Sequence, residues 1–348
     1  MQRILFHVGP PKTGTSFIQD FLNRNRAQLL QQGIYYPEHY VDPNGVSTGN
    51  RDSVYSKDHF DRRKLEQLIQ KAEVAGAHTL LFSSEAFYRD VMEIHDNCPQ
   101  AEFILYLRQP LQNMESYHNQ AVKRNRKTEK FTIANIDYSR FIRLKRYLDH
   151  CGQSCFTVRY YQKQCFRRNS LIADFLQSLS IPMVPEKSNS VINPSYSLSA
   201  LELKRRLNAL PLSKYADYQL DKVLQNYKGG QQHFSLTPPE EYARYLDQIV
   251  DKLDALLSGY ELPGWEDYLH ALREDKPKPY HREELSPEEA IRVAQFIHDQ
   301  NHGLYSYLSR KVWQNADPLM EKAFDREEAN FTDWLIFQAK AFASKLLR

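Results

Sequence analysis

Ile4-Leu5-Phe6-His7-Val8 is a nearly unbroken apolar run, and the eight residues after it, Gly9-Pro10-Pro11-Lys12-Thr13-Gly14-Thr15-Ser16, are polar or conformationally special. Phe17, Phe21, Leu22 and Leu29 then recur near helical spacing. The pattern predicts a buried strand, a loop, and a helix over about 17–30 that packs one side on a sheet and stops at Gly33. A second helical pattern near 62–75 leads into the apolar run Thr79-Leu80-Leu81-Phe82-Ser83, and further runs follow at Phe103-Ile104-Leu105-Tyr106-Leu107 and Phe156-Thr157-Val158-Arg159. Strands that are apolar nearly throughout and alternate with helices indicate a parallel sheet covered on both faces. Residues 37–60, rich in Pro, Gly, Asn and Asp, read as a long surface excursion of the kind that often carries ligand contacts.

Beyond about Ser195 the periodicity is helical only. Ser197-Leu198-Ser199-Ala200-Leu201-Glu202 opens one helix. Thr237-Pro238-Pro239-Glu240 and Ser286-Pro287-Glu288-Glu289 read as capping boxes with proline at the first helical position. Residues 334–347 form a strongly amphipathic helical pattern. No internal repeat or low-complexity tract interrupts this order.

Composition narrows the partners. With 348 residues, 46 Lys and Arg against 43 Asp and Glu, and a formal charge of +3, bulk electrostatics implies neither a nucleic-acid nor a membrane-surface partner. An anionic ligand must therefore meet a local site. Cys98, Cys151, Cys155 and Cys165 form no CxxC pair and, like the 12 histidines, no metal-ligand spacing, so reduced, half-buried thiols are expected and a zinc site is not. The first apolar run is too short for a signal peptide, and no stretch approaches the ~18 apolar residues of a spanning helix, so a cytoplasmic chain with no integral membrane segment is expected.

The first loop carries chemistry. At the end of a strand and the start of a helix, Lys12, Thr13, Gly14, Thr15 and Ser16 bring a charge and three hydroxyls to a place where free backbone N–H groups and the positive end of the helix dipole face an anion. The order is not that of the Walker A loop, in which lysine directly follows the glycine. A plain strand-to-helix turn is the simpler alternative. The segment from Gly9 to Phe17 resembles the loop of PAPS-dependent sulfotransferases, in which a Pro-Lys-[Ser/Thr]-Gly-Thr-[Ser/Thr] run after the first strand holds the 5′-phosphosulfate of 3′-phosphoadenosine 5′-phosphosulfate (PAPS). That family holds the 3′-phosphate with an arginine and a serine. Here Leu107-Arg108-Gln109-Pro110 opens a helix after the third run, and Ser116 follows Arg108 at the family's spacing.

The resemblance, to bacterial and carbohydrate-sulfotransferase-like members, spans roughly residues 1–205 and includes Ser170 to Pro182 and Asn193 to Ser199. It implies an α/β fold, a P-loop-like parallel sheet flanked by helices over 1–190, with a helical C-terminal extension over 191–348 packed on it as one domain. The family's Arg-Lys-Gly loop has no clear counterpart; Ser309-Arg310-Lys311 is the nearest, and otherwise reads as an exposed basic turn.

The implied reaction moves a sulfuryl group from PAPS to an acceptor hydroxyl or amine, leaving adenosine 3′,5′-bisphosphate. Lys12 would stabilise the leaving phosphate oxygen in a loose in-line transition state. Glu85, just past the second strand's end, is placed like the base of carbohydrate sulfotransferases; otherwise it is a first-turn glutamate favoured by the helix dipole after a serine cap. His7 and His118 are the alternative bases. No metal is implied, since no strand-end aspartate of the Walker B kind is present. The 22 tyrosines, with Tyr35-Tyr36 and Tyr160-Tyr161, and the run Lys123-Arg124-Asn125-Arg126-Lys127 suit a sugar or oligosaccharide acceptor, though such a run is equally a solvated helix face. Two other classes compete: a P-loop-type nucleotide or sugar kinase, and a non-catalytic adenosine 3′,5′-bisphosphate binding protein. Acceptor identity and oligomeric state leave no mark in the sequence.

Overall fold

A computed structural model of the chain describes residues 3–41, 47–181, 195–315 and 317–346. The chain forms two compact units that interleave along the sequence: Met1–Asn113, Asn135–Ile192 and Ala243–Lys276 make the first, and Met114–Ala134, Asn193–Tyr242 and Pro277–Arg348 the second. The boundary near residue 190 drawn from the sequence lies outside the described residues.

In chain order the strands are β1 (Arg3–His7), β2 (Ile34–Tyr35), β3 (Tyr55–Ser56), β4 (His59–Phe60), β5 (Thr79–Ser83), β6 (Ala101–Leu107) and β7 (Phe156–Tyr160). Five form one sheet in the order β2-β5-β1-β6-β7, every neighbouring pair parallel, while β3 and β4 make a small hairpin. The expected α/β class, a parallel sheet flanked by helices, is what the first unit contains. Its helices are α1 (Thr15–Arg24), α2 (Arg26–Gln31), α3 (Arg62–Val74), α4 (Phe87–Asn97), α6 (Ser139–Cys151), α7 (Leu171–Ser178) and α11 (Trp265–Arg273); α5 (Pro110–Arg124) and α10 (Pro239–Leu257) run from one unit's segment into the other's.

Both faces of β1, β5 and β6 are buried, as continuous apolar strands require, while the edge strand β7 is half-buried. Phe6 on β1 stacks on Phe82 with ring centroids 4.9 Å apart and meets Phe87 of α4 edge-on at 5.3 Å. Leu5, Leu81 and Ile104 point to the opposite face and cluster with Ile18 and Leu22 of α1 and Phe175 of α7. Chain order places β5 and β6 on opposite sides of β1, so the connection between them crosses over β1 and opens a crevice at the carboxyl ends of these strands, where such sheets collect ligands.

The helix expected over 17–30 is two helices. Asn25 breaks it: its Nδ2 donates to the Phe21 carbonyl at 2.7 Å, and its backbone leaves the helical region, the competition with the helix ladder that short amide side chains offer. Strand β2 is only two residues long, too short to leave a periodic signal.

The second unit is helical apart from an isolated bridge between Ser235 and Tyr280, with α8 (Leu198–Leu207), α9 (Lys214–Asn226), α12 (Pro287–Gln300), α13 (His302–Trp313), α14 (Pro318–Ala323) and α15 (Phe331–Leu346). Ser286 and Glu289 form the expected capping box on α12. Thr237 does not form one: its hydroxyl donates to the Glu115 carboxylate at 2.7 Å, and the helix starts at Pro239. The run 123–127 is solvated only in part: Asn125 and Arg126 are exposed and Arg124 and Lys127 half-buried. Lys123 is buried over the Tyr196 ring at 4.5 Å, and the Arg126 guanidinium donates to the carbonyls of Asn208, Leu210 and Leu212 beyond the end of α8. Helix α15 buries Phe337 and Ala341, yet its outer side is not polar: Phe331, Leu335, Ile336 and Phe342 are exposed. Cys98 and Cys151 are buried and Cys155 and Cys165 half-buried, all as free thiols. Among the described residues no helix is long and apolar enough to cross a membrane.

Candidate functional site

The loop between β1 and α1 is held in a conformation that few sequences tolerate. Gly9, Lys12 and Gly14 all have positive φ, at 75°, 74° and 78°. Lys12 is the costly one, since a side chain in the left-handed region is disfavoured by roughly 1–3 kcal/mol and persists only where neighbours fix it. Two bonds do so. Thr13 Oγ1 donates to the Pro10 carbonyl at 2.6 Å, and Arg108 Nη1 donates to the Lys12 carbonyl at 2.9 Å.

Gly14 is the N-cap of α1, and its first turn carries neither a side-chain cap nor an acidic residue. The helix therefore presents its N–H groups and dipole to whatever lies over the loop. The Thr15 hydroxyl there is buried beside the Glu85 carboxyl, while Ser16 is half-buried. A Cβ on Gly14 would stand 2.3 Å from Leu171 Cδ2 and 3.1 Å from Tyr161 Cε2. Gly14→Ala should therefore lower stability by about 1–3 kcal/mol through backbone strain and overpacking, read as an earlier urea midpoint with unchanged slope; an unchanged midpoint would mean the loop relaxes freely.

Glu85 follows β5 directly. The strand end beneath it is fixed by Asn50, whose Oδ1 accepts from the Ser83 N–H at 2.8 Å while its own N–H donates to the Ser83 carbonyl. Ser84 Oγ accepts from the N–H of Ala86, the residue before α4, and Glu85 lies before the helix, not in its first turn. The Glu85 carboxyl is pushed above the usual carboxylate range by burial, against the pull of the Lys12 ammonium and then of the Arg140 guanidinium. Thr15, though its hydroxyl lies outside strict hydrogen-bond geometry, also favours the ionised form. Arg140, on α6, is buried and donates from Nη1 to Asn113 Oδ1 at 2.8 Å. A lysine, a carboxyl raised by burial and a second cation thus meet at the carboxyl edge of the sheet.

Arg108 stands at the end of β6 with its guanidinium 5.2 Å from the centre of the Tyr161 ring. The next residue, Gln109, caps α5 by accepting from the Gln112 N–H, and its Nε2 is buried without a partner. The loop Lys12, Thr13, Gly14, Thr15 and Ser16 is thereby assembled with Glu85 and Arg108 in one unit. Ser116 is carried by the part of α5 that belongs to the second unit, where it is half-buried.

Both alternative bases, His7 and His118, are buried. His7 is wholly buried, its Nδ1 2.8 Å from Ser83 Oγ and its ring 5.0 Å from that of Phe175; burial drives it down to about 3, so it stays neutral. His118 is buried in the second unit against Glu283, Nε2 to Oε1 2.7 Å. Burial would raise the Glu283 carboxyl, but the hydrogen bonds from His118 and the Phe131 N–H outweigh it and leave it below the usual range. Asn50, Gln109 and Arg140 were not legible as site residues. Asn50 falls in the flagged excursion, whereas nothing in the spacing of α6 distinguishes Arg140.

No family model matches the chain. An uncharacterized protein of Archaeoglobus fulgidus is 28% identical over 267 residues, covering 72% of this chain and 70% of that protein. Among solved structures, a sulfotransferase from Alicyclobacillus acidocaldarius is similar with a TM-score of 0.40 and 16% identity, covering 76% of this chain and 99% of that one. At those values the functional reading stands on the geometry of the loop and the carboxyl.

Proposed function

We propose that this chain is a PAPS-dependent sulfotransferase acting on an acceptor hydroxyl or amine, with a carbohydrate as the acceptor class. The observation that carries the reading is the Glu85 carboxyl, raised by burial beside Lys12 at the mouth of an uncapped helix start. A base with a pKa moved toward neutrality is suited to taking a proton from a hydroxyl. The N–H groups of α1, the Lys12 ammonium and the Thr15 and Ser16 hydroxyls would hold the 5′-phosphosulfate, and Arg108, with Ser116, the 3′-phosphate.

The donor supplies an activated sulfuryl group on a phosphate leaving group. Glu85 accepts the acceptor's proton as the acceptor oxygen or nitrogen bonds to sulfur. Lys12 meets the negative charge left on the phosphate oxygen as the sulfur–oxygen bond breaks, and the positioned loop keeps attack and departure in line. No metal is assigned a role, because lysine, arginine and the helix dipole provide the positive field.

The test is transfer of label from sulfur-labelled PAPS to a panel of glycans, phenols and amines in the presence of EDTA. Adenosine 3′,5′-bisphosphate serves as the binding arm. Labelled product and a melting temperature raised by the bisphosphate, both insensitive to EDTA, are expected, since a ligand of the folded state stabilises it. Magnesium-dependent ATP turnover would establish the kinase reading instead, and a stabilising bisphosphate with no transfer to any acceptor would establish the binding protein.

A further inference from the structure

The second unit contains a cavity lined by residues that the transfer reading does not use. The segment Ser309-Arg310-Lys311, an exposed basic turn by its sequence, is the last turn of α13 with Ser309 buried. Its two cations and Arg326 line a cavity of about 430 Å³ whose lining, among the described residues, includes no carboxylate, a volume within the range of small-molecule sites. Trp313, Trp334 and Tyr307 supply flat apolar walls, and Gln314 and Gln338 supply amides that both donate and accept.

Arg310 shows that the wall is built for an acceptor. Its guanidinium carbon is 5.0 Å from the centre of the Trp334 ring and 5.3 Å from that of Phe331, contacts that hold the planar group in place. Its Nε is nevertheless buried with no hydrogen-bond partner. A buried donor on an arginine is costly to leave unmet, and in a wall without carboxylates among the described residues the acceptor enters from the cavity.

We infer that this cavity binds an anionic saccharide: a sugar ring against the tryptophans, its hydroxyls on the two glutamine amides, and its carboxylate or sulfate ester on Arg310, Lys311 and Arg326. An inorganic anion alone would leave the aromatic walls and amides unused, and a neutral sugar would leave the cations unused. The inference does not rest on the transfer reading, and its test contains no sulfuryl donor.

The full chain is titrated with an O-sulfated, uronic-acid-containing disaccharide and followed by tryptophan fluorescence. Two of its three tryptophans line the cavity, and the third, Trp265, is buried in the first unit. A saturable change is expected, weakened roughly tenfold or more in a Lys311→Ala/Arg326→Ala double variant of unchanged melting temperature, because each lost contact is charge-assisted. Arg310→Lys keeps the charge but not the fork and should weaken it similarly. A neutral disaccharide should bind at least tenfold more weakly. No saturable change, equal affinity in the double variant, equal affinity for the neutral sugar, or full reproduction of the signal by inorganic sulfate at the same concentration would each overturn the inference. Adenosine 3′,5′-bisphosphate, if it displaced the disaccharide competitively, would overturn it as well.

Discussion

Glu85→Gln should reduce sulfuryl transfer by roughly 10²-fold or more while leaving the affinity for adenosine 3′,5′-bisphosphate nearly unchanged. The amide keeps the size and most of the hydrogen bonding of the carboxyl but cannot take a proton. The stability of the same variant gives an independent reading. Burial raises the folded carboxyl, so its protonated form contributes stability that is complete below the ordinary carboxylate pKa and is lost as pH rises through the raised one. At neutral pH the wild type carries that loss and the amide does not. The variant should therefore melt no lower than the wild type near neutrality, and its melting temperature should vary less with pH across the interval between the two values. Wild-type turnover should in turn rise with pH through the raised pKa, since the ionised carboxyl is the base, and that limb should vanish in Glu85→Gln. Turnover within a few-fold of wild type would remove Glu85 from the chemistry. It would pass the role to His118 or leave the acceptor to lose its proton unaided, because His7, wholly buried and driven down to about 3, is a poor base.

Arg108→Ala should weaken adenosine 3′,5′-bisphosphate by roughly 10²-fold and adenosine 5′-phosphosulfate, which lacks the 3′-phosphate, by about tenfold. The unequal loss reflects two functions of one side chain. The bond from Nη1 to the Lys12 carbonyl supports the strained loop under either ligand, whereas contact with a 3′-phosphate concerns only one of them. Calorimetric titration of both nucleotides into both proteins separates the two. Equal losses would confine Arg108 to bracing the loop, and undiminished affinity for both would place it outside the site. Arg108→Lys should fall between, since an ammonium restores charge but cannot fork between a carbonyl and a phosphate.

The four longer strands were legible because parallel strands buried on both faces must be apolar throughout; β5 spans the very residues of its apolar run, and β6 begins two residues earlier, at Ala101. Lys12, Glu85 and Arg108 were legible for a related reason: in such sheets chemistry gathers at strand ends, and strand ends can be read. What failed depended on partners distant in sequence. Thr237 has the sequence of a helix cap, yet Glu115 takes its hydroxyl along with those of Ser235 and the N–H groups of Leu236 and Thr237. Arg126 sits exposed in what reads as a solvated charge run, yet its guanidinium is held by the carbonyls beyond α8. Arg140 joins the Glu85 site from a helix whose pattern offers Arg143 and Arg146 with equal claim. In each case the local signal was real and a tertiary contact outweighed it.

The interleaving of the two units sets an order of events at the ribosome. The chain leaves the first unit and returns to it twice, and its last return brings Tyr268, stacked on Tyr160 at 4.6 Å, and Asp275, which accepts from Gln112 and Gln162. The strands of the sheet are all synthesised by residue 160, but the unit cannot close until residue 276 has emerged, so the nascent sheet must wait through the synthesis of more than a hundred residues. Pairings of this sequence separation form late and leave apolar surface uncovered meanwhile. A nascent chain stalled before α11 is therefore the species that chaperones should meet.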